Sequence, residues 1–172
     1  MIVLLLKFSY IIIANTACTE LMSQTIINIA EQVRKLLVYR NRKTRRYPKN
    51  LMGLCAKGSS SLFRALTKRH YKSELRMSVT NTRNGRTCHV FVIVSLPKDD
   101  GNTTAAATKA QQFVVDITAT QFQEFSNKNV VFLKLDAAIN YPFYQSKYVY
   151  HSVKELRGHQ KLQGWCRREI AF

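Results

Sequence analysis

The 172 residues suit one domain, with length for a single sizeable core and not for two. An apolar fraction of 46% is that of a globular chain, while 27 basic against 10 acidic residues leave a formal net charge of +17. A field of that sign favours anionic partners, and charge alone does not choose among nucleic acid, an anionic membrane surface and acidic proteins. The four cysteines, at 18, 55, 88 and 166, show no Cys-x-x-Cys spacing, which argues against a zinc ribbon, a thioredoxin-like redox pair or a disulfide framework. No metal or cofactor is expected.

Residues 1–17 are apolar enough to suggest a signal sequence, yet Lys7 lies inside the run and no small-x-small pair precedes Cys18. With about 13 apolar positions the run is too short for a membrane span. A start of translation at Met22 and a buried strand or helix are the alternatives, so residues 1–19 are set apart from a single domain over 20–172. Cytoplasmic and secreted, effector-like locations both stay open. From Glu20 to Tyr39, Leu21, Ile26, Ile29, Ala30, Val33, Leu36 and Leu37 fall near helical period, and Glu31 with Lys35 makes a favourable i,i+4 pair. The helix runs into residues 40–49, where six of ten are basic. That run is either a solvated linker or a loop that docks an anionic substrate or surface through Arg42, Lys43, Arg45 and Arg46.

The next stretch, 50–70, sets a cysteine just behind a glycine at the start of a helical pattern: Gly53-x-Cys55, then Leu62, Ala65 and Leu66 at helical spacing. The first turn of a helix carries partial positive charge and unpaired N–H groups, which favour thiolate over thiol. Alternation of Leu75, Met77 and Val79 predicts a strand over 73–80, and Asn84-Gly85 predicts a hairpin into an antiparallel strand over 87–96. Residues 97–109 read as a surface loop, 111–117 as a third strand and 130–135 as a fourth, after a turn at 126–129. The fold class is therefore α+β, an antiparallel sheet of about four strands with the Cys55 helix packed on one face. Residues 140–150 hold five aromatic rings, which favour core or a cleft wall over a platform for stacked bases. Ser152-x-x-Glu155 is a capping box that starts a short helix to about His159.

Two polar residues stand in apolar, strand-like runs: His89 in Thr87-Cys-His-Val-Phe-Val-Ile-Val-Ser95, and Asp116 in Phe113-Val-Val-Asp-Ile-Thr118. A carboxylate in such a run costs free energy unless it is paired. The order Gly-x-Cys, then His near the start of a strand, then Asp-x-Thr closing the next strand resembles the transglutaminase-like and papain-like cysteine enzyme superfamily over roughly residues 50–122. Ile117 stands where many relatives have Pro, and the aromatic often found just after the His is Phe91, one place later. The resemblance implies a triad in which Cys55 is the nucleophile, His89 the base and Asp116 its orienting carboxylate. A second oxyanion donor beside the Cys55 N–H would come from Asn50 or Gln121.

Neighbours on a strand point to opposite faces, so Cys88 is expected to pack away from His89. His70 lies some four helical turns from Cys55, and His151 and His159 have no partner pattern. The expected activity is acyl transfer from a carboxamide or peptide carbonyl, as a peptidase, a deamidase or a transglutaminase, on a protein or peptide substrate that is acidic if the 40–49 run docks it. The alternatives are a basic nucleic-acid-binding protein in which the Cys-His-Asp order is coincidental, and a binding module without activity on the same fold.

Overall fold

The computed structural model describes residues 2–42, 51, 53–82, 85–97 and 110–162, with the side chains of 2–18, 42, 81, 82, 85, 86, 161 and 162 excepted. The fold is α+β. Five strands, β1 (Ser73–Thr82), β2 (Gly85–Leu96), β3 (Gln111–Asp116), β4 (Val131–Lys134) and β5 (Ser146–Tyr150), form one antiparallel sheet in the order β4-β3-β2-β1-β5. The helices are α1 (Ile2–Arg42), α2 (Cys55–Thr67), the single turn α3 (Leu135–Ala138) and α4 (Val153–Leu162).

Both faces of the sheet are covered, which explains why β2 reads as an unbroken apolar run rather than an alternating one. Val90, Val92, Val94 and Leu96 of β2, with Leu75 and Met77 of β1 and Phe113 and Val115 of β3, point into a core shared with Ile26, Ile29, Ala30 and Leu37 of α1 and Leu62 and Leu66 of α2. The odd residues Phe91 and Ile93, with Val114, point the other way into a second core. That core is closed by Ala119, Phe125, Ala138, Phe143 and Tyr144 from the segments after β3. Each fully buried Leu or Met here contributes roughly 1.5–3 kcal/mol of apolar transfer.

Several boundaries differ from the sequence expectation. The hairpin register runs to Thr82↔Gly85, so Gly85 stands in the strand and the enclosed residues 83 and 84 lie outside the described residues. The fifth strand, β5, lies within the aromatic stretch; Tyr148 and Tyr150 alternate with exposed Lys147 and Val149, but three successive aromatic or apolar residues hide that period in the sequence. Phe143 and Tyr144 are core, as the stretch's composition suggested.

The segment set apart at 1–19 is continuous with the helix expected at 20–39: from Ile2 to Arg42 the backbone is one helix of 41 residues. Among the described residues no helix is long and apolar enough to cross a membrane. The helix also takes in Arg40, Asn41 and Arg42, and buried Asn41 donates from Nδ2 to the Leu37 carbonyl at 2.6 Å. The remainder of the basic run, including Lys43, Arg45 and Arg46, lies outside the described residues, as does the Arg42 side chain. The capping box forms: Ser152 Oγ accepts from the Glu155 N–H at 3.1 Å, while Glu155 Oε2 accepts from the His151 N–H at 2.9 Å. The His151 bond, with a second from the Ser152 hydroxyl to Glu155 Oε1 at 3.0 Å, holds the Glu155 carboxyl below its ordinary range, and α4 runs on to Leu162 rather than stopping near His159.

Two contacts fix α2. Ser59 Oγ donates to the Val90 carbonyl at 2.7 Å. Gly58 lets the helix approach the chain that leaves β3, because a Cβ there would stand 2.9 Å from Thr118 Cγ2 and 3.1 Å from Leu37 Cδ2. Gly58→Ala should therefore destabilise the fold by about 1–3 kcal/mol in urea unfolding, despite the better helix propensity of alanine. A gain in stability would show that α2 and the Thr118 segment separate without cost.

Candidate functional site

Asp116 closes β3 with no exposure to solvent, and four donors surround its carboxylate. Oδ1 accepts from the Thr118 N–H at 2.7 Å and Thr118 Oγ1 at 2.9 Å; Oδ2 accepts from His89 Nε2 at 2.7 Å and Tyr144 O–H at 3.0 Å. Burial pushes the carboxyl up, but the neighbouring imidazole and the bonds from His89 and Thr118 outweigh it and hold the group below its ordinary range. Burial, followed by the Asp116 charge and its bond, drives the Tyr144 phenol well above its ordinary value, so it stays a neutral donor.

His89 shares its face with Phe91, Phe122 and Tyr144, with the Phe122 ring edge-on at 4.7 Å. An ionised carboxylate only accepts, so Nε2 carries a proton, and Nδ1 takes a bond from Gln121 Nε2 at 2.9 Å. Gln121 and Phe122 also line an open cleft of about 580 Å³ with Arg34, Thr120, Gln123, Ser126 and Asn129. The cleft thus abuts the imidazole.

Cys55 lies at the lateral edge of β2. The Ser95 N–H bonds the Lys72 carbonyl at 2.9 Å and the His89 carbonyl meets Ser78 Oγ at 3.5 Å, so the peptide groups of odd-numbered β2 residues point towards β1. Those of Cys88 and Val90 point the other way, beyond the first pairing with β3 at Val92↔Val115. The first turns of α2 occupy that position: Ser59 takes the Val90 carbonyl, and the Cys55 thiol lies 3.9 Å from the Cys88 carbonyl oxygen.

Leu51 and Gly53 deliver the chain to this point with left-handed backbones (φ 59° and 78°), and the Leu54 N–H closes the turn onto the Leu51 carbonyl at 3.1 Å. The glycine of Gly-x-Cys serves that turn. Leu54, at the N-cap, offers no side-chain acceptor, and the first bond back along the helix is Gly58 N–H to the Leu54 carbonyl at 2.8 Å. The amides ahead of it lie at the positive end of the helix beside Cys55.

Of the residues expected to form the site, the structure joins His89, Asp116 and Gln121 in one hydrogen-bonded chain and sets Cys55 beside the backbone one peptide unit from His89. The expected placement is corrected in one respect. α2 packs on the face of Val90 and Val92, whereas His89 and Asp116 stand on the opposite face by strand parity, and the thiol lies against the Cys88 carbonyl oxygen at the edge of β2. Gln121, expected as an oxyanion donor, is turned to His89 Nδ1. Asn50 lies outside the described residues. Cys88 packs against the first core, as expected. His70 lies just past the Lys68 C-cap of α2 with a left-handed backbone (φ 63°), and His159, for which no partner was expected, bonds the Tyr150 hydroxyl at 2.7 Å. Burial and then the Tyr148 and Cys88 charges push that phenol up to about 12.

Two members escaped the sequence reading. Tyr144 is one of five rings with no local mark of its role. Arg34 had a signal: it interrupts the buried stripe Ile26, Ala30, Leu37 of α1. Its guanidinium bonds the Ile117 carbonyl and Thr120 Oγ1, and burial lowers its ordinary pKa against the opposing pull of Asp116. Among the described residues no group of three His, Cys, Asp or Glu side chains is arranged to hold a metal.

Because the folded Asp116 carboxyl is depressed, its contribution to stability is present above the unfolded value of about 3.9 and is lost as pH falls through the folded value. Asp116→Asn should lower stability at pH 7 by about 3–5 kcal/mol, since it strips a buried pair of one partner, and should flatten the loss below about pH 4. Urea titrations from pH 2 to 7 measure both; an unchanged acid slope would assign that loss to other carboxylates.

No family model, curated protein or solved structure matches the chain.

Proposed function

We propose that the protein is a thiol-dependent acyl-transfer enzyme of papain-like or transglutaminase-like type, with Cys55 as nucleophile, His89 as base and then acid, and Asp116 as the carboxylate that orients His89. The observation that carries this reading is the buried His89–Asp116 bond of 2.7 Å on the strand whose edge meets the Cys55 thiol. A structural histidine needs no fully buried carboxylate with four donors behind it. A general base does, because such a carboxylate fixes the tautomer and stabilises the imidazolium that forms.

In this reading the Cys55 proton passes to His89 Nδ1, and the thiolate forms a C–S bond to the carbonyl carbon of a carboxamide or peptide. The carbonyl electron pair moves onto oxygen, where the amides at the start of α2 stabilise it. Collapse restores the carbonyl and breaks the C–N bond, and the departing amine takes the Nδ1 proton. Water or an amine then gives a proton to His89 as it attacks the thioester, and the sulfur leaves. Water makes the enzyme a peptidase or deamidase, and an amine makes it a transglutaminase.

Alkylation of Cys55 by iodoacetamide, followed by mass spectrometry across pH 5–9, tests the pairing. A thiolate held at a helix start beside an imidazolium should react at about pH 6–7, below the ordinary thiol value of about 8.5. His89→Ala should move the profile up by at least about one unit, and Asp116→Asn should slow turnover with Cys55 in place. A Cys55 profile at or above the ordinary thiol value and unmoved by His89→Ala, or faster labelling of Cys88 or Cys166, would overturn the assignment.

The net charge of +17 favours a second reading, binding of nucleic acid through phosphates. It requires an affinity for a DNA duplex that falls steeply and linearly in log[salt] and survives Cys55→Ala.

A further inference from the structure

Both ring nitrogens of His89 are engaged at once, Nε2 by Asp116 and Nδ1 by Gln121. The second bond bears on the proposed chemistry, because Nδ1 carries the only lone pair with which this imidazole can take a proton from Cys55. The Gln121 amide occupies the position at which that lone pair would receive the Cys55 proton. The groups facing the ring are Asp116 from β3, Tyr144 from the 3-10 turn Pro142–Tyr144, Phe91 from β2, and Gln121 and Phe122 from the segment after β3; Cys55 of α2 stands at the strand edge, and Arg34 of α1 is held by Ile117 and Thr120.

Among these, Gln121 is the one built to move. Asp116 is pinned by four donors, Tyr144 is buried and bonded to it, and Phe122 is stacked on Phe143 with centroids 3.8 Å apart. The backbone under Gln121 is fixed, since its N–H bonds the Thr118 carbonyl at 3.2 Å and Thr118 is tied to Asp116. Its side chain is long, half-buried and on the wall of the open cleft. A rotamer change moves the amide from Nδ1 into the cleft without disturbing any other contact of the dyad.

We infer that Gln121 is a latch on the His89 base. In the resting protein its amide masks Nδ1; a substrate carbonyl entering the cleft takes over the amide N–H, and the freed Nδ1 accepts the Cys55 proton. The same donor that holds the base idle then bonds the carbonyl oxygen as negative charge develops there. This rests on the acyl-transfer reading and adds to it a substrate-dependent control of the nucleophile. A carbonyl acceptor is the chemistry that displaces the latch: iodoacetamide carries a carboxamide and can open it, whereas an alkyl halide without a carbonyl, iodoethane, has no acceptor and meets the latched form.

Two variants remove the donor, Gln121→Ala and the length-preserving Gln121→Met. Cys55 alkylation by the carbonyl-free probe iodoethane is followed from pH 5 to 9, with histidine ¹⁵N spectra of the intact protein as a readout independent of activity. The latch predicts that both variants react faster at pH 6–7, by about threefold to tenfold for one net hydrogen bond lost from the neutral ring. It also predicts that the His89 Nδ1 resonance leaves its hydrogen-bonded position while Nε2–H stays on Asp116. Gln121→Ala placed in a His89→Ala background should give no gain. Slower or unchanged iodoethane alkylation in both variants, with His89→Ala still shifting the iodoacetamide profile, would overturn the latch and leave the acyl-transfer reading standing. No effect of His89→Ala would overturn both.

Discussion

A carboxylate with no solvent exposure is the constraint around which this fold is arranged. Unpaired, Asp116 would cost several kcal/mol; with four donors it becomes a junction that three parts of the chain must reach together. β2 supplies His89, the turn after β3 supplies Thr118, and the segment before β5 supplies Tyr144. The segments that cover this face of the sheet, which make no long helix, gain their order from that junction and from the rings packed over it. A substitution at Asp116 therefore acts on the closing of the second core as well as on the imidazole.

The end of β3 at Asp116 has a second effect. Had the pairing continued, the carbonyls of Cys88 and Val90 would have been taken by backbone of β3. Instead they are met by side chains of α2, Ser59 and Cys55. The site lies where one strand stops and a helix start replaces it, and Gly58 makes the replacement close enough. Thr118 serves both sides of this arrangement: its hydroxyl and N–H hold Asp116, and its methyl group sets the limit on how near α2 may come.

The strand residues of the site were legible because polar groups in apolar runs are costly and therefore informative. His89 and Asp116 stood out for that reason, and Thr118 came with Asp116 through the Asp-x-Thr pattern. The hairpin, the antiparallel order of β1 to β4 and the capping box at Ser152 rest on local chemistry, and the chain shows each of them. What escaped is non-local. Tyr144 is one tyrosine among several, distinguished only by which ring the fold brings over β2. β5 was hidden because the edge strand's inward and outward positions are both occupied by bulky residues. Arg34 was missed although it breaks a helical stripe, since a single cation on a long helix reads as a solvated one. The side of β2 on which each site residue falls was written in the alternation of 88, 89 and 90, but the side on which α2 packs was not.

That division of faces bears on the proposed chemistry. The His89–Asp116 pair is embedded: its donors, its rings and its strand are all part of the core that stabilises the protein, so its geometry is held by packing. Cys55 belongs to the other core and lies against the Cys88 carbonyl at the rim of β2. With rigid partners on one side of the strand and the thiol on the other, the proposed chemistry leaves the thiol rotamer and the Gln121 amide as the adjustable parts. Gln121 lies on the wall of the open cleft, and the buried Cys55 lies at the edge of β2 where pairing with β3 has ended. Stability is thus concentrated in His89 and its carboxylate, and the freedom that the proposed turnover would require is confined to two side chains whose movement breaks no buried ion pair.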